Sequence, residues 1–262
     1  CAWGLTLAYD FQNNLNQYLF YLSLFFAGSV LMRSAGCIIN DIVDKDFDKN
    51  VERTKNRPIA SGKLSVKIGI IYSVILCLIA FLILINFNNF TILLAIFSMP
   101  LAFTYPLMKR YTYWPQLFLG VTFNYGLLLG WSSIKETIDV VPFIFYFGAI
   151  FWTLGYDTIY GFQDIKDDEI IGVKSTSIKF KKNPKIFLSV CYSVFVISFL
   201  ALAIFLDLNN YFFIGILIIT MHLFLFQIYR FDKTDKLKCL KIFKSNNLLG
   251  LLILINIFLG RV

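Results

Sequence analysis

Long apolar runs alternate with short charged segments along the whole chain. The runs fall at about 18–39, 66–86, 90–105, 114–131, 141–158, 185–206, 211–229 and 245–260. Each approaches the ~20 residues needed to cross a hydrocarbon core as a helix, so eight membrane-spanning helices are predicted. Ala2-Trp3-Gly4-Leu5-Thr6-Leu7-Ala8 reads as the closing half of a further one. The chain opens at Cys1 without a methionine, and the expectation is a truncated sequence whose full form has nine helices, with no signal peptide in view. The predicted fold class is all-α, a polytopic membrane bundle forming one domain over 1–262.

The charges support this division. If the helices alternate in direction, the segments 40–67, 106–113, 158–185 and 230–245 share one side of the membrane. Together they hold 21 of the 24 Lys and Arg. Lys and Arg concentrate in the short loops that are not translocated, so this side is cytoplasmic, or matrix-facing in an organelle. Composition agrees: 58% of residues are hydrophobic and 18% aromatic, and the mean hydropathy is +0.71, which excludes an ordinary soluble domain. The net charge of +8 needs no nucleic acid to explain it, because topology and anionic headgroups suffice. The abundance of Ile, Lys, Asn and Phe is that of an AT-rich genome, so a bacterial inner membrane is expected, with the mitochondrial inner membrane as the alternative.

Five cysteines without paired spacing read as small buried hydrophobes, and the one histidine, His222, as a packing residue. Zinc, haem and iron–sulfur sites therefore lack ligands. Carboxylates are the exception to this apolar pattern. Asp41, Asp44 and Asp48 fall at i, i+3 and i+7 at the end of one apolar run, on one face of a helix. Asp157, Asp164 and Asp168 end another at i, i+7 and i+11, again one face if that helix continues. Carboxylates beside lipid are costly and mark functional sites. Two such rows on one membrane side suit Mg2+, which takes oxygen ligands and is often shared with substrate phosphates. Arg53 and Arg57, one helical turn apart, are expected to converge on an anion, with Lys174 as a further anion ligand. Metal-binding carboxylates next to paired arginines suit a diphosphate.

Asn40-Asp41-x-x-Asp44-x-x-x-Asp48 followed by Arg53-x-x-x-Arg57-Pro58 resembles the first signature of the UbiA superfamily of intramembrane prenyltransferases. The segment from Tyr156-Asp157 through Gln163-Asp164-Ile165-Lys166-Asp167-Asp168 to Gly172-Val173-Lys174-Ser175 resembles the second. Met32-Arg33-Ser34-Ala35-Gly36-Cys37 and Tyr105-Pro106-Leu107-Met108-Lys109-Arg110 are similar to the branch that acts on 4-hydroxybenzoate in the ubiquinone pathway. The resemblance implies a bundle around a central cavity that opens to lipid, capped at its polar end by the two aspartate loops. It implies transfer of a polyprenyl group from polyprenyl diphosphate to the ring carbon ortho to the hydroxyl. Asp41, Asp44, Asp164 and Asp168 would be catalytic through Mg2+, with Asp48 and Asp157 as further metal ligands or their supports. Arg53, Arg57, Lys174 and Asn40 would serve the diphosphate.

Arg33, about 10 Å deeper than Asn40 by helix rise, is a candidate for the benzoate carboxylate, in competition with a structural role and with Lys109 and Arg110. Gly126 and Gly130 are expected to be helix-packing contacts. The alternatives are a related enzyme using dihydroxynaphthoate, haem or homogentisate, a divalent-cation transporter, or a lipid phosphotransferase. A transporter is expected to carry ionisable groups near mid-membrane on several helices and leaves Arg53 and Arg57 unexplained. The compact Asp-Gly signature of a lipid phosphotransferase is not found.

Overall fold

The computed structural model describes residues 1–12 and 14–262. A short α1 (Ala2–Ala8) precedes α2 (Leu15–Val43) and the single turn α3 (Lys45–Asp48). Then come α4 (Val66–Leu84), α5 (Asn89–Thr104) and α6 (Met108–Tyr111), the last two joined by a tight turn at Tyr105–Leu107. They are followed by α7 (Pro115–Lys135), α8 (Val140–Gly161), α9 (Ile165–Ile171) and α10 (Thr176–Lys179). The chain closes with α11 (Pro184–Leu206), α12 (Asn210–Met221), a wider π-helical segment His222–Ile228, and α13 (Lys236–Arg261). Among the described residues, eight helical stretches are long and apolar enough to cross a membrane. The stretch expected to close a ninth forms α1, whose seven residues are too few to cross one, so nine spans are not seen.

Local chemistry sets where these helices begin. Asn14, Ser65, Asn88, Asp139, Asn209 and Asp235 each accept a hydrogen bond from a backbone N–H of the first turn. Pro115 and Pro184 occupy first-turn positions, where a missing N–H costs nothing. The cap at Asp235 also explains one departure from expectation. The last spanning helix starts at Lys236 rather than near 245, because the lysine-rich stretch that reads as loop is helical once capped.

The packed centre lies between α8, α11 and α12, where Phe145, Tyr192, Phe195, Phe199 and Phe212 are fully buried. Small residues let these helices approach: a methyl group on Gly148 would meet the Ser198 side chain at 2.5 Å, and one on Gly155 the Tyr192 ring at 2.4 Å. The role expected of Gly126 and Gly130 holds. A Cβ on Gly130 would lie 2.1 Å from the Cys1 carbonyl oxygen, and one on Gly126 2.7 Å from the Cys1 sulfur, so α1 rests directly on α7. The cysteines are unpaired; Cys191 and Cys239 are buried, whereas Cys37 is exposed toward the cavity rather than buried.

Candidate active site

A cavity of about 1240 Å³ lies between α2, α4 and α5 on one side and α7 and α8 on the other. Its inner part is walled by apolar side chains, among them Phe25, Phe81, Phe87 and Leu129. Its mouth is lined by Asn40, Asp41, Asp44, Asp48, Asp157, Asp164 and Asp168, with Arg53, Arg57, Lys109 and Lys174. Both aspartate segments thus reach one mouth, although the helices differ from expectation in three places. α2 stops at Val43, and Asp44 caps it with φ −93° and ψ 3°, so Asp48 belongs to a separate turn. α8 stops at Gly161 and does not continue to Asp168, which lies on α9; Gly172, at φ +80°, then ends α9 with a left-handed residue. The stretch 49–64, expected as loop, is a series of turns and lacks the helical turn assumed between Arg53 and Arg57.

Consequently Arg53 and Arg57 do not converge on one point. Arg53 donates from Nε (2.9 Å) and Nη2 (2.6 Å) to Asp164, and its guanidinium lies over the Tyr160 ring. Arg57 Nη1 donates to Asp41 (2.9 Å) and to Asp48 (3.0 Å). The first pair ties the two aspartate segments together, the second braces the first segment. Charge-assisted contacts of this geometry are among the stronger hydrogen bonds available to side chains.

Lys109, considered above for the aromatic acid, instead pairs with Asp44 at 2.6 Å. Arg110 is not part of the cavity wall. It donates to the Val43 carbonyl at 2.6 Å, at the open end of α2, and stacks on Phe47. Lys174, expected to serve an anion, lines the mouth with its Nζ donating to the Tyr111 carbonyl at 3.2 Å, while its backbone N–H donates to the Lys109 carbonyl and fixes the loop. Arg33 lines the cavity below the mouth, over the Phe123 ring, and makes no salt bridge among the described residues.

Burial raises the Asp44 carboxyl above its ordinary range even against the pull of Lys109. Burial, reinforced by Asp164, pushes Asp168 up to about 6. Asp44 Oδ1 is buried and meets no hydrogen-bond partner among the described residues. That orphaned oxygen and the carboxylate-rich donor set fit a hard divalent cation. Among the described residues no three ligand-type side chains are already gathered as a cation would gather them; Arg53, Arg57 and Lys109 hold the carboxylates instead.

The sequence reading missed Tyr160 and the pair Asn246 and Asn247, which also line the cavity. Two adjacent amides inside an apolar span were a signal, since polar groups at membrane depth are there for a reason. Asn246 accepts from Trp152 Nε1 (3.0 Å) and from Gln227 Nε2 (2.9 Å), and Gln227 in turn accepts from the buried Tyr192 hydroxyl at 2.6 Å. The π-helical segment puts Gln227 in this network.

The UbiA prenyltransferase family model matches residues 1–252. The chain belongs to this family. A 4-hydroxybenzoate polyprenyltransferase, mitochondrial, of Rattus norvegicus is 42% identical over 264 residues, covering all of this chain and 70% of that protein. A 4-hydroxybenzoate octaprenyltransferase of Francisella tularensis subsp. novicida is 39% identical over 235 residues, covering 90% of this chain and 82% of that one. Among solved structures, the apo UbiA homolog of Aeropyrum pernix K1 superposes with a TM-score of 0.74 at 22% identity, covering 97% of each chain. A UbiA homolog of Archaeoglobus fulgidus bound to DMAPP and Mg2+ gives 0.70 at 17% identity, covering 98% of this chain and 93% of that one. These likenesses carry the fold: a multi-pass membrane bundle of the UbiA type.

Proposed function

We propose that the chain, acting as one transmembrane domain, transfers a polyprenyl group from polyprenyl diphosphate to 4-hydroxybenzoate, at the ring carbon ortho to the hydroxyl, for ubiquinone synthesis. The observation that carries this reading is the joining of two aspartate segments, 111 residues apart at Arg53 and Asp164, across the mouth of one long cavity with an apolar interior. Full-length similarity to relatives of that name supports the choice of acceptor.

In this reading the diphosphate sits at the mouth and the prenyl tail runs inward past Phe25 and Phe87. Asp41, Asp44, Asp48, Asp164 and Asp168 would hold Mg2+, with Asp157 one helix step deeper on α8. When bound, that ion supplies positive charge against the diphosphate oxygens. Arg53, Arg57 and Lys174 add fixed positive charge where the leaving group develops its own negative charge, and Asn40 orients a neighbouring carboxylate or the diphosphate. The allylic C–O bond breaks with its electron pair leaving on the diphosphate. The electron-rich ring then attacks the allylic carbon as its phenol proton passes to a carboxylate, a role assigned to Asp41, and movement of the ring proton to the phenol oxygen restores aromaticity, so that one proton is lost in all. Arg33, held over Phe123 without a carboxylate partner, is assigned the benzoate carboxylate. The mouth faces the cytoplasm of a bacterial inner membrane or, equivalently, the matrix at a mitochondrial one.

The test is an assay on purified protein in lipid, with labelled 4-hydroxybenzoate and a polyprenyl diphosphate. Label is expected in an organic-extractable product, and to be lost on adding EDTA and in Asp41→Ala and Asp164→Ala, with helical content unchanged. Near-normal turnover in both variants would remove the two-segment site. Diphosphate release only with another aromatic acceptor would keep the chemistry and change the substrate.

A further inference from the structure

A second cavity, of about 940 Å³, opens on the same membrane side as the mouth and shares no lining residue with it. It is bounded by the first turn of α11, the end of the π-helical segment and the first two turns of α13. Six cations line it: Lys182, Lys185, Arg230, Lys233, Lys238 and Lys241. Among the described residues one carboxylate lies in the wall, Asp232; it accepts from the backbone N–H (3.0 Å) and the hydroxyl (2.7 Å) of Thr234 and remains an anion beside Lys185 and Lys238.

The protein therefore offsets only part of the positive charge, with Asp232 in the wall and Asp235 beside it set against six cations. Among the described residues only Lys238 has an acidic partner, Asp235, at 3.8 Å. Lys185 and Lys233 lean on backbone carbonyls, of Tyr229 (3.3 Å) and Lys181 (3.0 Å), and Arg230 lies over the Phe226 ring at 5.0 Å. Backbone carbonyls and ring faces orient a cation without cancelling its charge. This concentration of charge exceeds what loop topology needs, because it lines a concavity between three helix ends.

The cavity also has an apolar side. Ile186 and Tyr229, in its wall, are 67% and 79% exposed, and below them Val190, Ile197 and Leu225 present exposed apolar surface. A cationic cavity at the level of helix ends, continuous with apolar flanks pointing into the hydrocarbon, matches a ligand with an anionic head and an apolar body. We propose that this cavity binds the headgroup of an anionic phospholipid, whose acyl chains lie along the exposed flanks of α11 and the π-helical segment. Basic pockets between spanning helices on this membrane side recognise such headgroups by charge. The site stands apart from the prenyl-transfer reading and does not depend on it.

The experiment is native mass spectrometry of the purified full chain in neutral detergent, titrated in separate arms with diphosphatidylglycerol, phosphatidylcholine and inorganic phosphate alone. Diphosphatidylglycerol is expected to bind at least ~10-fold more tightly than phosphatidylcholine at low ionic strength. Each basic residue at such a surface contributes about a fivefold factor, so Lys185→Gln/Lys238→Gln/Lys241→Gln should weaken binding roughly 100-fold. Because Lys185 also steadies the Tyr229 carbonyl, the double variant Lys238→Gln/Lys241→Gln serves as the second probe. It should lose about 25-fold while keeping the wild-type circular dichroism. Equal retention of diphosphatidylglycerol by variants and wild type, or of phosphatidylcholine by wild type, would overturn the proposal. Displacement of the lipid by inorganic phosphate at equal concentration would reassign the cavity to a free anion and overturn it too.

Discussion

Asp164 receives the full fork of Arg53, and Asp48 and Asp41 share one nitrogen of Arg57. The two arginines therefore differ in what a lysine can replace. Arg53→Lys keeps the charge but loses one of two parallel donors, and Lys is a poor substitute at a bidentate site. Its turnover is expected to fall at least ~10-fold, about the 1.4 kcal/mol of one weakened charge-assisted contact; an unchanged rate would mean that the fork is not needed in the reaction. A pH effect belongs to the same scale. Burial, reinforced by Asp164, pushes the Asp168 carboxyl up to about 6, above the ordinary carboxylate range, and burial also raises Asp44. Between that range and about 6 the folded state holds a proton the unfolded chain has released. Stability is present at the acid end of this window and is lost as pH rises through it. In EDTA the wild type should melt at a higher temperature at pH 5 than at pH 7. Asp168→Asn should flatten the difference by on the order of 1 kcal/mol, the value being discounted for partial exposure, while abolishing activity.

At the scale of elements, α1 owes its seat to glycine. A methyl on Gly130 or Gly4 meets backbone rather than a yielding side chain, 2.1 Å from the Cys1 oxygen and 1.9 Å from the Leu127 oxygen. Gly130→Ala is therefore expected to destabilise by about 1–3 kcal/mol, read as a lower melting temperature in detergent. Gly36→Ala, with nothing within 4 Å of the added carbon, should be neutral or gain a few tenths of a kcal/mol from helix propensity. Helices were the legible part of the chain. Lipid leaves the backbone no alternative to helix, so the runs of Ile, Leu and Phe located all eight spans, with most ends within a few residues. What stayed hidden was where the polar ends stop. Nothing in Ile42-Val43-Asp44-Lys45 announces that α2 breaks there; the break follows from Arg110 taking the Val43 carbonyl and Lys109 taking Asp44, both of which arrive from α6. Likewise the spacing of Arg53 and Arg57 implied a shared anion, whereas each is committed to carboxylates that only the tertiary fold brings near.

For the molecule as a whole, the cavity belongs to neither end of the sequence. Its mouth is assembled from α2, α6, α8, α9 and the turns between them, and its membership was readable because both aspartate segments carried recognisable residue patterns. Arg33 was singled out by the cost of placing an arginine so deep, and it does line the cavity. Asn246 and Asn247 went unnoticed because α13 was weighed only for its apolar length. The emptiness of Asp44 Oδ1 and the pairing of its neighbours have an implication for how ligands arrive. On the proposed function, a lone divalent cation entering the mouth competes with Arg53, Arg57 and Lys109 for Asp164, Asp41, Asp48 and Asp44, and each carboxylate it takes leaves a cation without its partner. A diphosphate arriving alone meets a wall of aspartates. Arriving together, the cation takes the carboxylates and the diphosphate takes the released guanidinium and ammonium groups, so each raises the affinity of the other by the same factor. Calorimetry should find Mg2+ binding strengthened at least ~10-fold by inorganic diphosphate, and diphosphate binding strengthened equally by Mg2+; independent, additive affinities would contradict it. On the proposed function, it is the prenyl donor, and not the metal by itself, that arms the site.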